Sequence, residues 1–511
     1  MPVTTYTYSK AVDFSGGFDS DGVMYEIEQS SISTPLDTGQ PMRVSGDVVE
    51  ISFSDQLSSG DKNTLDGDTA QAENSPPEAG SVLGDHTGNP RPLKPEDPIV
   101  FDAVVGSDHQ YTLPSQAFSA GAKSVFVQSG FYTEEGDINI PEGGVLQAEA
   151  IGGVYIELGP YSIRSDGSGR LETTGTISIT HNTQVITGVG TTFTNLAVND
   201  FILLNDVWHR IALIASDTSM FLYHPYQGAT ISGGALKAQS MIAGSYVINI
   251  IAHSGTSYGL YVKNSYHFSA QNCLFSRCGA DGTHAAIHME DTYESYLIGT
   301  LTEFSNDHGM TMKNCDRILL TNIAFKSSFN HGLCMDGCTR ITMDGSYFVQ
   351  NKLNGAEFIN ACDYIKVTDS TFEGNQGVGF HSSSVTTHTI LDSCDVVGNV
   401  SHGAELEGDA GVVNDCVIYG NGGSGLCLRS TASDSIMQGC IISNNTAEGI
   451  LVDQADDCVI TGNRVMSNGT EGCEIVAGST DNIVRTNNFK GNTGTNYVDN
   501  GTGTDSDGNK T

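Results

Sequence analysis

Two short stretches, Gly332-Leu333-Cys334-Met335 and Gly449-Ile450-Leu451-Val452, carry the motif that decides the fold: a glycine opening a short alternating segment. That glycine recurs at Gly309, Gly332, Gly355, Gly379, Gly403, Gly425, Gly449 and Gly472, in steps of 23, 23, 24, 24, 22, 24 and 23 residues. Gly259 and Ala286 extend the series towards the N-terminus. An apolar ladder follows through Phe275, Leu301, Phe325, Phe348, Phe372, Val396, Ile418, Ile442, Val465 and Phe489. A polar ladder falls at Asn351, Asn375, Asn399, Asn421, Asn444, Asn468 and Asn492. Three ladders in one register make each repeat one coil of a solenoid. The period is too short for helical repeats, which need about 33 residues or more, and the leucine-rich signature is absent. A parallel β-helix remains, with equivalent residues stacked about 4.8 Å apart on successive coils. Phe, Val and Ile fill its interior, Asn hydrogen-bonds along the axis and Gly marks corners.

Composition agrees. Of 511 residues, 38% are hydrophobic and 60 are Gly, too apolar for a disordered acidic chain and too Gly-rich for a helix bundle. With 23 Lys+Arg against 60 Asp+Glu the net charge is −37, which repels phosphate backbones and argues against nucleic-acid binding. No apolar run is long enough to span a membrane. The opening Met1-Pro2-Val3-Thr4-Thr5 lacks a basic and then apolar export signal. All 12 Cys lie between Cys273 and Cys473, none in a CxxC pair. Cys315, Cys338 and Cys362 keep the coil period, as do Cys394, Cys416 and Cys440, which predicts buried thiols rather than disulfides or metal ligands.

Outward from the solenoid, taken as 240–495, the organisation changes. Residues 99–174 read as the start of the β-helix and 175–239 as a small β-barrel insert of five short strands, including Phe201-Ile202-Leu203-Leu204 and Met220-Phe221-Leu222-Tyr223. The only Trp, Trp208, lies in that insert, as core filler or as a platform for a stacked sugar. Residues 1–74 read as a small α+β domain. Ser20-Asp21-Gly22 caps a helix to Ile32, Val48–Phe53 forms a strand, and Ser58-Ser59-Gly60-Asp61 opens a second helix. Residues 75–98, with 6 of the 13 Pro, form a stiff linker, and 496–511 a flexible acidic tail.

The segment Ser124-Val125-Phe126-Val127 … Ile138-Asn139-Ile140-Pro141-Glu142-Gly143 resembles the opening coil of right-handed parallel β-helices. Asp21-Gly22-Val23-Met24-Tyr25 … Gly46-Asp47-Val48-Val49 … Ser58-Ser59-Gly60-Asp61 is similar to a small domain recurring in tailed-phage virion proteins. Together with the insert, these make the whole chain look like a phage tailspike or head/tail fibre subunit. The resemblance implies a homotrimer on the virion surface, contacts to other virion proteins through residues 1–74, and a shaft that binds host-surface polysaccharide. It also accounts for unpaired thiols without an export signal. Pectinases and alginate epimerases share the β-helix, so a polysaccharide hydrolase or lyase is the rival reading, and a secreted bacterial carbohydrate-active protein a third.

Catalysis on such a shaft calls for paired carboxylates about 5 to 9.5 Å apart. Asp369 with Glu373, Glu405 with Glu407, and Asp456 with Asp457 are the candidate pairs, set against a merely solvated acidic face. His308, His331 and His402 precede ladder glycines at one corner, where the first two stack directly. They read as turn residues, with His308 and His331 as candidate binding residues beside Trp208. The polygalacturonase set "NTD" and "RIK" and the epimerase "YG-D-PH" pattern are missing, and Arg317, Arg340, Arg429, Arg464 and Arg485 are scattered. Asp19-Ser20-Asp21-Gly22 and Asp505-Ser506-Asp507-Gly508 begin like calcium loops but lack the closing Glu. The sequence therefore predicts no metal or cofactor beyond weak calcium binding, and a fibre that binds glycans without cutting them.

Overall fold

The computed structural model describes residues 4–9, 42–45, 48–53 and 101–511, apart from 151, 280–283 and 430. Its contacts divide the chain into two compact units, 1–99 with 169–240, and 100–168 with 241–511. The second unit is a right-handed parallel β-solenoid of about 16 turns. Each full coil gives one strand to each of three parallel sheets, named here I, II and III. In one coil these strands are Leu333–Asp336, Thr339–Asp344 and Tyr347–Val349, and the chain re-enters sheet I at Ala356–Ile359. Pairing is in register, so Phe325, Phe348 and Phe372 stack, the last two with centroids 4.5 Å apart and rings 7° from parallel. The chain leaves sheet I after Asp166 and resumes at Ile242, and both ends pair with the same strand, Leu260–Tyr266.

Polar columns close the corners. Asn351 Nδ2 donates to Asn375 Oδ1 at 2.9 Å, and that oxygen also accepts the Asn351 backbone N–H. The pattern continues through Asn399, Asn421, Asn445, Asn468 and Asn492. The rung is Asn445, not Asn444: Asn445 is 2% exposed, whereas Asn444 takes the left-handed corner at φ 56°. Spacing alone could not separate two adjacent asparagines. Another column, the expected Cys394, Cys416 and Cys440, passes into Asn463, Asn487 and Asn509, a continuation absent from the sequence reading. All twelve cysteines are free, and only Cys334 is not fully buried.

One expectation is refined and one corrected. The ladder glycines mark corners, as expected, and are required there by close approach of the next coil. A Cβ on Gly355 would sit 2.5 Å from the Gly379 carbonyl oxygen on the next coil, and one on Gly403 would meet that of Gly425 at the same distance. Residues 496–511, read as a flexible tail, build one more coil. Tyr497–Asp499 pairs with Cys473–Ile475, bridges join Thr480 to Thr502, Ile483 to Asp505 and Asn488 to Lys510, and Asn509 ends its ladder. Its acidic, polar composition hides strands that are short and held by backbone pairing.

In the first unit, eight antiparallel strands run from Leu171–Glu172 to Ala238–Gln239. They enclose a separate core that includes Ile186, Phe193, Ile202, Ile211 and Met220. This insert starts earlier than 175 because Leu171–Glu172 pairs with Ala238–Gln239. Near the N-terminus, Thr4–Ser9 and Met42–Ser45 flank Val48–Phe53. The helices expected at 20–32 and after 58, and the 75–98 linker, lie outside the described residues. Among those described, no helix is long and apolar enough to cross a membrane.

Neighbouring asparagines test the ladder. Asn445→Ala strands the buried Asn421 donors and should cost roughly 2–5 kcal/mol. Asn444→Ala should cost about 1 kcal/mol, the price of alanine in the left-handed region. Thermal unfolding of the two variants checks the order, and equal losses would refute the assignment.

Candidate functional site

The second residue after each ladder glycine points out of sheet I, and register stacks these residues into one column. It runs Tyr261, His288, Thr311, Cys334, Glu357, His381, Glu405, Cys427, Leu451 and Glu474. The residue before each glycine forms a parallel row that includes His308, His331, Asn354 and His402. The column and the row meet on one face and bring together groups that are far apart in sequence.

At the centre, His381 Nδ1 lies 2.9 Å from both carboxylate oxygens of Glu357, and its Nε2 lies 3.8 Å from Glu407 Oε1. Asn354 Nδ2 donates to Glu357, while Asn354 Oδ1 accepts the Val378 N–H at 2.8 Å. The carboxylate is thus fixed before it meets the imidazole. Burial alone would lower the His381 pKa, but the hydrogen bond and charge of Glu357, joined by Glu405 and Glu407, carry it above the ordinary 6.5. Burial likewise pushes Glu357 up, and its His381 partner brings it below the usual carboxylate value. His381 is therefore biased towards its protonated form, with Nε2 on the side of Glu407.

The corner histidines are in the opposite state. His308 and His331 stack with centroids 5.3 Å apart and rings 7° from parallel. The Asn354 N–H donates to His331 Nδ1 at 3.1 Å, and the Ser424 N–H donates to His402 Nδ1 at 3.0 Å. Each ring must then carry its proton on Nε2. Burial lowers the pKa of His308 and His402 and takes His331 down to about 4. All three sit at turns, and His331 and His402 are also fixed neutral N–H donors. Burial raises the Cys334 thiol to about 12, so it is no thiolate nucleophile.

On the C-terminal side, Arg429 Nε binds Glu405 at 2.7 Å and its NH1 group binds Asp453 at 2.9 Å. Beyond them Glu448, Glu471 and Glu474 bring one oxygen each within 4.8 Å of the others. Burial raises the Glu474 pKa, reinforced by the Glu448 and Glu471 charges. On the N-terminal side, Tyr258, Tyr261, His284 and His288 form an aromatic group, and Arg164 lies 4.2 Å over the Tyr261 ring.

Of the residues expected from sequence, Glu405, Glu407, His308 and His331 fall on this face. Asp369 and Glu373 do not: Asp369 occupies a left-handed corner between sheets II and III, and Glu373 an exposed position at the end of a sheet III strand. Asp456 accepts the Thr480 N–H and hydroxyl, and Asp457 is a left-handed corner residue. Trp208 is 4% exposed and serves as a core residue of the insert, since a covered ring offers no face to a sugar. Asp505 pairs with Arg485, and Asp19–Gly22 lies outside the described residues. Sequence reasoning missed Glu357, His381 and Asp453, and set Arg429 aside as one of five scattered arginines. The signal for the first two was present, because both stand two places after a ladder glycine.

Two family descriptions match parts of the chain: "Right handed beta helix region" over residues 354–511, and "Periplasmic copper-binding protein (NosD)" over residues 212–392. Similar solved structures include phage tailspikes and alginate epimerases. The Azotobacter vinelandii mannuronan C-5 epimerase AlgE6 A-module is 12% identical, covering 77% of this chain and 92% of its own, with a TM-score of 0.38. Tailspike protein 3 of bacteriophage CBA120 is 12% identical over 76% of this chain and 58% of its own, at 0.43. The tailspike of Acinetobacter baumannii bacteriophage AP22, solved with an A. baumannii capsular saccharide, is 12% identical over 75% and 72%, at 0.41. No curated protein sequence matches the chain.

The imidazole–carboxylate pair gives a titration test. Glu357→Gln removes the hydrogen bond and the nearest charge and leaves burial opposed only by Glu405 and Glu407, so the His381 midpoint should fall in an NMR titration. Because folding raises this pKa, the pair stabilises the protein fully below pH 6.5 and loses that effect as pH rises through the folded value. The thermal destabilisation of Glu357→Gln should accordingly shrink at alkaline pH. An unmoved His381 midpoint would show that Glu357 does not control it.

Proposed function

We propose that this chain is a tailspike-type β-helical protein whose sheet I face binds a host-surface glycan and cleaves it by acid–base chemistry. The observation that carries this reading is His381, oriented by Glu357 and with its pKa raised beside Glu405 and Glu407. A sequence of this composition has many acids, but a solvated acidic face does not bury an imidazole between carboxylates. That observation favours the cutting reading over a fibre that only binds.

Chain geometry suits an extended polymer. In this proposal the glycan-binding groove follows the outward column along the axis, with tyrosines at one end and neutral His331 and His402 N–H donors beside the centre. The charge of the face favours a neutral glycan over a polyuronate, because Glu357, Glu405, Glu407 and Asp453 crowd the centre and Arg429 is already engaged by two of them. Elimination needs a uronate, which the charge of this face disfavours. Hydrolysis is the reaction that fits. His381 Nε2 gives its proton to the leaving glycosidic oxygen as the anomeric C–O bond breaks, and water adds to the anomeric carbon. A carboxylate of the Glu405–Glu407 pair takes the proton from that water. Glu407, 3.8 Å from Nε2, is placed to return it to His381. In the same proposal the chain is a homotrimer on the virion surface, attached through residues 1–74, and it needs no cofactor.

Incubation of the full chain with envelope polysaccharides of candidate hosts tests this, with glycan size, reducing ends and the ultraviolet absorbance of unsaturated ends as readouts. Shortened chains with new reducing ends and no unsaturation are expected. His381→Asn should lower the rate about 10²–10⁴-fold while leaving glycan binding in place. Glycan that co-elutes uncut would restore the binding fibre, and unsaturated ends would replace hydrolysis with elimination.

A further inference from the structure

On sheet II, away from that groove, one corner column holds residues in the left-handed conformation on successive coils: Tyr364 at φ 53°, His388 at 49° and Ala410 at 53°. Register places them directly above one another, since Asp363 pairs with Thr387, and Ile390 with Val412. The Tyr364 and His388 rings stack with centroids 4.6 Å apart and planes 6° from parallel. The His388 ring is held by Asp363, whose Oδ1 lies 2.8 Å from Nδ1 and also accepts the Thr387 hydroxyl. Tyr364 is 58% exposed, an unusual state for a ring placed so firmly.

The next rung carries only the Ala410 methyl. Its backbone has the geometry that presents rings at the two rungs below, so a ring-sized space follows the stack. The outward row Lys366, Ile390 and Val412 runs beside it. Together with Tyr364, His388 and Ala410 it lines a pocket of about 290 Å³. A pocket of this size, just below the usual ligand-site range of about 300–1,000 Å³, takes one or two sugar rings rather than a length of polymer.

We infer that this pocket is a second saccharide site, which seats a single pyranose as the missing rung of the Tyr364–His388 stack. The axial C–H bonds of a pyranose carry partial positive charge and meet the negative face of an aromatic ring. Ile390 and Val412 cover the apolar side of the sugar, and the Lys366 ammonium donates to its hydroxyls. A flat apolar patch would offer no such combination of ring face, one-rung depth and amine. The site lies on a different sheet from His381 and stands independently of the cleavage reading.

Saturation-transfer NMR on the full chain tests it, with methyl β-glucopyranoside and methyl β-glucuronopyranoside as probes. The wild type should transfer saturation to the ring protons of at least one probe. Ala410→Tyr, which fills the rung with a side chain the column already accepts one coil pair earlier, should weaken binding at least tenfold without loss of folding. Tyr364→Ser should do the same by removing the base of the stack. His381→Asn should leave the signal unchanged, which separates this site from the groove. No transfer in the wild type, or transfer that persists in both Ala410→Tyr and Tyr364→Ser, would overturn the site. So would transfer lost in His381→Asn, because the probe would then be in the groove.

Discussion

Axial register is the constraint on which everything else rests. Each coil hydrogen-bonds to the next through its backbone, and the Asn columns repeat that bond with their side chains, donating amide to carbonyl from Asn351 to Asn492. An amide in such a column satisfies its own donor, the next residue's acceptor and a buried backbone group at once. Asn399 Nδ2, for instance, also reaches the Phe372 carbonyl at 3.0 Å. Leaving any of these groups unpaired inside the solenoid would cost more than the hydrogen bond itself contributes. Register is therefore fixed at every coil, and the ladder glycines tighten it, since a methyl group at Gly355 would push two coils apart.

The same constraint acts on the outside. Once inward residues are locked, outward residues are spaced by the coil pitch of about 4.8 Å, and a site can be assembled only from side chains in neighbouring rungs. Glu357, His381 and Glu405 are such neighbours, 24 residues apart in sequence at each step and adjacent in space. The rigidity that a catalytic group needs then comes from the sheet, and only the last bonds of each side chain require their own support. Asn354 and Arg429 supply it, one holding Glu357 and the other Glu405.

This explains what could be read from sequence. The solenoid was legible because its ladders are made of unlike residue types, Gly, Phe and Asn, that keep one period. The stacking of His308 on His331 was legible for the same reason. The site itself was less so, because the outward column has no constant residue type: Thr311, Cys334, Glu357 and His381 share a position and nothing else. Searching for acids near each other in sequence selected Asp369 with Glu373, which the corner and strand geometry separate from the sheet I face. Reading two places after each ladder glycine would have found Glu357 and His381. The choice between Asn444 and Asn445 was beyond spacing, since either satisfies a step within the range of the repeat, and only burial distinguishes them.

Two columns on one sheet also put one residue type into opposite charge states. In the corner row a backbone N–H from the next coil occupies Nδ1, and burial is unopposed by any bonded carboxylate, so His331 and His402 stay neutral. In the outward column the neighbouring rungs are glutamates, so the His381 pKa is raised. The consequence for pH is asymmetric. A folded-state pKa below 6.5 means that the corner histidines withdraw stability as pH falls through 6.5, until His331 itself protonates near 4. His381 withdraws its contribution in the other direction, as pH rises above 6.5. Between those limits the face carries neutral corner rings beside an imidazole whose pKa is raised. Coil register, rather than any local motif, decides which histidine does which.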